Sequence, residues 1–354
     1  MNPEFKLLPE WHAQEAIILA WPDKRTDWKP WLKEVRNTYK QLIEAITQNN
    51  TGVILLIREQ EVDTAKELLK NCCKLMFVIT NYNDTWCRDY CFLTLQHDKK
   101  MQPIEFTFNG WGNKFDASLD NKVNANVLAK LCKEPLKSVE LVAEGGALEI
   151  DQHGHLLSTA LCLQNPQRNG DLSLAAYQSM FIKHLGASRV SILENGHLEG
   201  DDTDGHIDTI VRFTEDNGVV IQSCFNRPED THFSGLNALV NELKVLLPQH
   251  EIFELPLPNI VNEVGERLPA SYANYLISNH QVLCPIYRQP EDQLALDIIA
   301  SAYPDYTIVP IDSLPLVQQF GSVHCISMQI PKGTLKPEVL DNLSDGLTVY
   351  GCDA

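Results

Sequence analysis

Apolar residues recur at three- and four-residue spacing over Trp31–Thr47, Asn121–Cys132, Leu172–Leu185, Leu236–Leu247 and Gln293–Ala302, which predicts five amphipathic helices. A short aliphatic or β-branched run follows each one: Leu75–Thr80, Val139–Val142, Val190–Leu193, Ile252–Leu255 and Thr307–Pro310. These runs read as strands. An extra strand, Val53–Ile57, and a second helix, Val62–Leu69, precede the first of them.

After each strand comes a turn and then alternating segments that predict a hairpin. Cys91–Leu95 pairs with Ile104–Phe108, and Ala147–Ile150 with Leu156–Thr159 across Asp151-Gln152-His153-Gly154-His155. Thr209–Phe213 pairs with Val219–Gln222 across Asp216-Asn217-Gly218, and Ala273–Ile277 with Val282–Pro285 across Ser278-Asn279-His280-Gln281. The spacing makes about five strand–helix–hairpin units. The last is incomplete: Val323–Ile330 lacks a second arm, and Glu15–Ala20 is the natural partner to close a ring. Closure would hide the sheet edges and leave a central cleft, with the polar motifs at one end of it. An ordinary open α/β sheet fits the same pattern. No Gly/Ser linker or low-complexity tract marks a boundary, so residues 1–354 are expected to form a single catalytic domain.

Hydrophobic residues make up 44% and charged residues 21% of the 354, an ordinary globular balance. No stretch of 18 apolar residues predicts a membrane span, and Met1-Asn2-Pro3-Glu4-Phe5-Lys6 does not read as a secretory signal. A cytoplasmic location is expected. The ten cysteines are irregularly spaced and read as reduced thiols. A net charge of −18 disfavours nucleic acid and anionic membranes and suits a cationic ligand, although solubility alone is the plainer explanation. Nothing here decides the oligomeric state, and a homo-oligomer is compatible with it.

Four polar clusters interrupt the strands: Asn83-Asp84-Thr85-Trp86-Cys87-Arg88-Asp89, Glu144-Gly145-Gly146, Glu199 to Asp208, and Gly321-Ser322-Val323-His324-Cys325-Ile326. The acidic third cluster fails the helix–loop–helix calcium template, because Val211 stands where the closing glutamate belongs. His206 and Asp208 could be two ligands of a transition metal, but no HExxH or paired CxxC motif supplies the rest. Read as a strand, positions 206 and 208 share one side, which suits a base beside a carboxylate. A cationic imidazole would favour a thiolate. Cys325 stands out by the turn before it and the polar His324 beside it; a buried inert cysteine is the plain alternative. Asp89 and Asp208 could grip one planar guanidinium by fork-like hydrogen bonds if the fold brings them together. Gly145-Gly146 marks either a close backbone approach or a simple turn.

Taken in order, Trp86-Cys87-Arg88-Asp89, Phe108-Asn109-Gly110-Trp111-Gly112, Glu144-Gly145-Gly146, Asn165-Pro166-Gln167-Arg168-Asn169, Asp202 to Asp208, Leu268 to Asn274 and Val323-His324-Cys325-Ile326 resemble the agmatine deiminases of the bacterial-type peptidylarginine deiminase family. Pro9 to Glu15 with Trp21-Pro22 fits as well, so the likeness runs from about Pro9 to Pro331. It implies a five-bladed pseudo-symmetric α/β propeller and a hydrolase that needs neither metal nor cofactor. By the same likeness Cys325 is the nucleophile and His206 the acid–base group. Asp89 and Asp208 clamp the guanidinium, and Trp86, Glu144 and Asn274 contact the substrate. One departure stands out: relatives carry Gly-Pro shortly after the aspartate, where this chain has Tyr90-Cys91-Phe92. Rival readings are deimination of free or peptidyl arginine, a metal-dependent amide hydrolase, and a non-catalytic binding module.

Overall fold

The computed structural model describes residues 5–351, so the Met1–Glu4 part of the leader reading lies outside the described residues. The fold is mixed α/β and contains five sheets among those residues. The chain divides into two compact units, one of Met1–Gly145 with Cys325–Ala354 and one of Gly146–His324.

In the first unit a five-stranded sheet runs in the order Ser327–Pro331, Gln14–Ala20, Gly52–Ile57, Leu75–Ile79 and Leu347–Tyr350. Its Gln14–Ala20 and Gly52–Ile57 strands are buried nearly throughout, as a parallel sheet covered by helices requires. Helix Leu32–Gln48 supplies one cover through Val35, Tyr39, Leu42, Ile43 and Ile46. The expected partnership of the first and last strands is present: Ser327 pairs antiparallel with Leu19 and Ile330 with Ala16. Helix Pro337–Ser344 and strand Leu347–Tyr350, which the hydrophobic pattern did not predict, add a parallel edge beside Leu75–Ile79. A second sheet joins Lys6–Leu7, Leu93–His97, Lys100–Thr107 and Lys137–Val142.

The second unit repeats one motif three times. A hairpin is followed by a helix, and the helix returns the chain as a strand parallel to the hairpin's second arm. The helices Leu174–Leu185, Phe233–Leu246 and Asp292–Ala302 make these returns, close to the predicted spans. Ser173 caps the first of them by accepting the Ala176 N–H, and left-handed Gly186 ends it.

Three expectations need correction. The predicted helix Asn121–Cys132 is a distorted series: a 3-10 turn, a π-turn over Asn124–Leu128 and a short α-turn. Asn121 Oδ1 accepts the Phe108 N–H and Asn124 holds the backbone of both Phe92 and Tyr90, so tethers to neighbouring segments override the regular ladder. The first hairpin arms also begin later than their apolar pattern suggests. Residues Cys87–Tyr90, Gly145–Ala147 and Ile207–Thr209 form short helical turns, and the strands start at Leu93, Glu149 and Val211. His206 and Asp208 therefore do not share a side by strand alternation; His206 precedes a 3-10 turn and Asp208 lies within it. Among the described residues no helix is long and apolar enough to cross a membrane, and nine cysteines are free thiols.

Candidate active site

The seven residues singled out from sequence divide between the units: Trp86, Asp89, Glu144 and Cys325 in the first, His206, Asp208 and Asn274 in the second.

In the first unit, Cys87–Tyr90 forms a single helical turn laid against the start of the last predicted strand. The Arg88 N–H donates to the Cys325 carbonyl at 3.2 Å. The Cys87 thiol donates to the carbonyls of Ile326 at 3.0 Å and Ile18 at 3.4 Å, and Arg88 Nη1 donates to Gln329 Oε1 at 2.7 Å. Segments from opposite ends of the chain are thus stitched together at Cys325. Gly145 sits against the same turn: a β-carbon there would lie 2.1 Å from the Arg88 carbonyl oxygen. The glycine pair marks a close backbone approach, and it sets the segment ending in Glu144, 1% exposed, against the turn that bears Asp89 and bonds to Cys325.

Asp89 is buried and accepts the Trp111 indole N–H at 2.8 Å. Trp111 reaches it from a tight turn in which Gly110, Trp111 and Gly112 all have left-handed φ, held by Asn109 Oδ1 accepting the Gly112 N–H. Trp86 packs at a tilt against Trp28, with ring centroids 5.4 Å apart, and the Trp28 indole N–H donates to Thr85 Oγ1. Below the turn, Asp120 accepts the backbone N–H groups of Asn83 and Asp84. Burial pushes the Asp120 carboxyl up to about 8; those N–H groups oppose the rise and the Asp84 charge adds to it. The missing Gly-Pro does not disturb the aspartate, because Cys91 is extended and its N–H closes the turn onto Cys87.

The rest of the thiol inventory narrows the choice of nucleophile. Burial raises the thiols of Cys72 and Cys224 to about 11 and that of Cys132 to about 12, and drives Cys91 and Cys284 higher still. These are structural cysteines. Cys325 retains 9% exposure beside the fully buried Ile326 and Val323.

In the second unit the acidic loop is a self-capped scaffold. Asp201 accepts from the N–H groups of Thr203 and Gly205 and from the Thr203 hydroxyl. Asp204, at φ 68°, receives Arg168 Nη1 and Asn165 Nδ2, both at 2.8 Å. Arg168 Nη2 donates to the Thr203 carbonyl, and Thr159 Oγ1 to that of Gly205. The loop therefore uses Asp201 on itself and Asp204 on Arg168 and Asn165, and delivers His206, 1% exposed, at the head of the Ile207–Thr209 turn.

Asp208 is fully buried, and its Oδ2 meets His324 Nδ1 at 2.6 Å. Burial alone would raise this carboxyl, but the hydrogen bond and charge of His324, with His206 and Arg212 behind them, outweigh it and hold the pKa below its usual value. Asn274 ties the same two residues through the backbone. Its Oδ1 and its carbonyl each accept the His324 N–H at 3.1 Å, and its amide donates to the Asp208 carbonyl at 3.4 Å. Ser271 Oγ donates to the Thr209 carbonyl and anchors the turn from below.

Sequence reasoning gave no partner to Trp111, Arg168 or His324, although all three lie in quoted motifs. Their partners are remote in sequence, and only the fold discloses them.

The chain matches the Porphyromonas-type peptidyl-arginine deiminase family over residues 6–331. A Legionella pneumophila (strain Paris) protein named "Putative agmatine deiminase" is 31% identical over 93% of this chain and 96% of its own. A solved structure of a cysteine-to-serine variant of C. jejuni agmatine deiminase with substrate bound is 31% identical, covers 94% of this chain and 97% of its own, and superposes with a TM-score of 0.86. Another, described as the "Putative Arginine Deiminase from Porphyromonas gingivalis", is 38% identical with the same TM-score, over 94% of this chain and 100% of its own. With its motifs in order and its fold shared across nearly the whole length, this chain belongs to the Porphyromonas-type peptidyl-arginine deiminase family.

Proposed function

We propose that this protein is a cytoplasmic hydrolase that removes ammonia from the guanidinium group of agmatine, giving N-carbamoylputrescine. In this reading the two units act as one catalytic domain. The observation that carries it is the stitching of the Cys87–Tyr90 turn, which bears Asp89, to the backbone of Cys325 and Ile326. Family membership and the agmatine deiminases among its relatives support the substrate class.

Guanidinium is delocalised and a poor electrophile, so orientation must do much of the work. Asp89 and Asp208 hold it in plane by fork-like hydrogen bonds. The Cys325 thiolate adds to the central carbon, and His206 gives a proton to the departing nitrogen, which leaves as ammonia. The S-alkylthiouronium left on sulfur then takes up water, from which His206 removes a proton. Collapse of the adduct releases the ureido product and restores the thiolate. Trp86 and Glu144 line the pocket, and no cofactor or metal takes part.

Deimination of arginine is the second reading, favoured by the arginine-deiminase relative at 38% identity. An arginine-specific pocket normally needs a cation for the substrate carboxylate. Arg88 is engaged by Gln329, Arg168 by Asp204 and Thr203, and Arg212 by Glu149 and the carbonyls of Ala273 and Tyr275. Those three arginines serve the fold, which favours agmatine.

The deciding assay offers agmatine, arginine and a blocked arginine peptide and scores ammonia and ureido product. Agmatine is expected to be turned over fastest, with no loss of rate in EDTA, and Cys325→Ser to abolish release. Parent-level turnover by Cys325→Ser would falsify the nucleophile assignment.

A further inference from the structure

We infer that His324 is a positioning residue for the reaction: its Nδ1–H pins the substrate-clamping carboxylate of Asp208 in one orientation. This rests on the functional reading above, which gives Asp208 its clamping part.

The pairing is held at two levels. Side chain meets side chain at 2.6 Å with both groups buried. A proton must lie between an imidazole nitrogen and a carboxylate oxygen at that distance, so Nδ1 is the donor. Backbone meets backbone through Asn274, which accepts the His324 N–H and donates to the Asp208 carbonyl. A carboxylate on a short side chain can rotate about its terminal torsion, and rotation would spoil an in-plane fork. Locking one oxygen removes that freedom before substrate arrives, so orientation is settled in advance. The charged or titratable groups acting on Asp208 are His324 and His206, Arg212 behind them, and Asp201 on the neighbouring loop. His324 forms a short hydrogen bond to the carboxylate, and Cys325 follows it directly in the chain.

Asparagine and glutamine at 324 separate positioning from mere filling of space. The asparagine amide nitrogen can stand near the place of Nδ1, whereas that of glutamine stands nearer the far ring nitrogen. His324→Ala and His324→Gln are expected to raise KM for agmatine about 10- to 100-fold, with a smaller fall in kcat, the effect of losing a hydrogen bond to a charged group. The acid limb of kcat/KM should move to higher pH in both, since Asp208 then protonates more easily. His324→Asn should recover most of both losses. Carbon-13 spectra of the carboxyl groups, with the Asp208 signal assigned by its loss in Asp208→Asn, should show the same upward titration without any turnover. A folded His324→Ala with the parent's KM and acid limb overturns the inference, as does equal behaviour of the Asn and Gln variants. A parent chain idle on every guanidinium compound would instead sink the proposed function, and the carboxyl titration would still decide what the hydrogen bond does.

Discussion

Gly145 lies so close to Arg88 that a β-carbon on it would stand 2.1 Å from the Arg88 carbonyl oxygen. Met328 closes the other side, its methyl 3.1 Å from the same point. Arg88 in turn donates its own N–H to Cys325. The loop that ends in Glu144, the turn that carries Asp89 and the residue proposed as nucleophile are therefore locked by one backbone contact in which only glycine fits.

Gly145→Ala is expected to destabilise the protein by about 2–4 kcal/mol, because the clash is with backbone and no rotamer relieves it. Urea unfolding measures this directly. A midpoint within error of the parent would mean that the contact is looser than described.

Trp111→Phe keeps the ring and removes the indole N–H that holds Asp89 at 2.8 Å. A hydrogen bond to a charged group contributes about 1.5–3 kcal/mol, so KM for agmatine should rise roughly 10- to 100-fold while the fold persists. Steady-state kinetics with a circular-dichroism control tests it, and an unchanged KM would remove Trp111 from the clamp.

Arg168 is buried and holds the acidic loop through Asp204 and the Thr203 carbonyl. Lysine keeps the charge but lacks the fork that reaches both acceptors. Arg168→Lys should cost about 2–3 kcal/mol of stability and lower turnover more than substrate binding, since the loop presents His206. Equal stability and kcat in the variant would show that the loop stands without its clamp.

Asp120 titrates near 8 in the folded protein, mainly through burial, against roughly 3.9 in an unfolded chain. The folded state therefore binds the extra proton between those values, and stability should fall as pH rises from about 4 to about 8. Asp120→Asn removes the titration. The pH-dependent loss of stability should shrink in the variant, as denaturation at pH 5 and pH 8 would reveal; an identical slope would place the titration elsewhere.

Much of the architecture is legible along the chain because it is driven by local periodicity. Four of the five predicted helices and the paired arms of the hairpins follow from apolar spacing, and even the pairing of Gln14–Ala20 with Ser327–Pro331 was foreseeable as the repair of an incomplete last repeat. What misled was the start of each first arm. There the short helical turns that carry the polar motifs, held by partners from remote segments, push the strands' starts on to Leu93, Glu149 and Val211. The same competition distorts the helix near Asn121 and Asn124.

By itself the sequence determined the repeat and most of the helices, since hydrophobic periodicity is a local property, and its ordered motifs carry the family likeness that points to Cys325, His206, Asp89 and Asp208. Only the tertiary structure decided that Arg88 meets Cys325, that Trp111 holds Asp89 and that His324 grips Asp208. Hydrogen bonds between remote segments form because burial leaves polar groups no water to turn to, and which partner each finds depends on how the sheets and turns pack, a matter that no stretch of chain encodes alone.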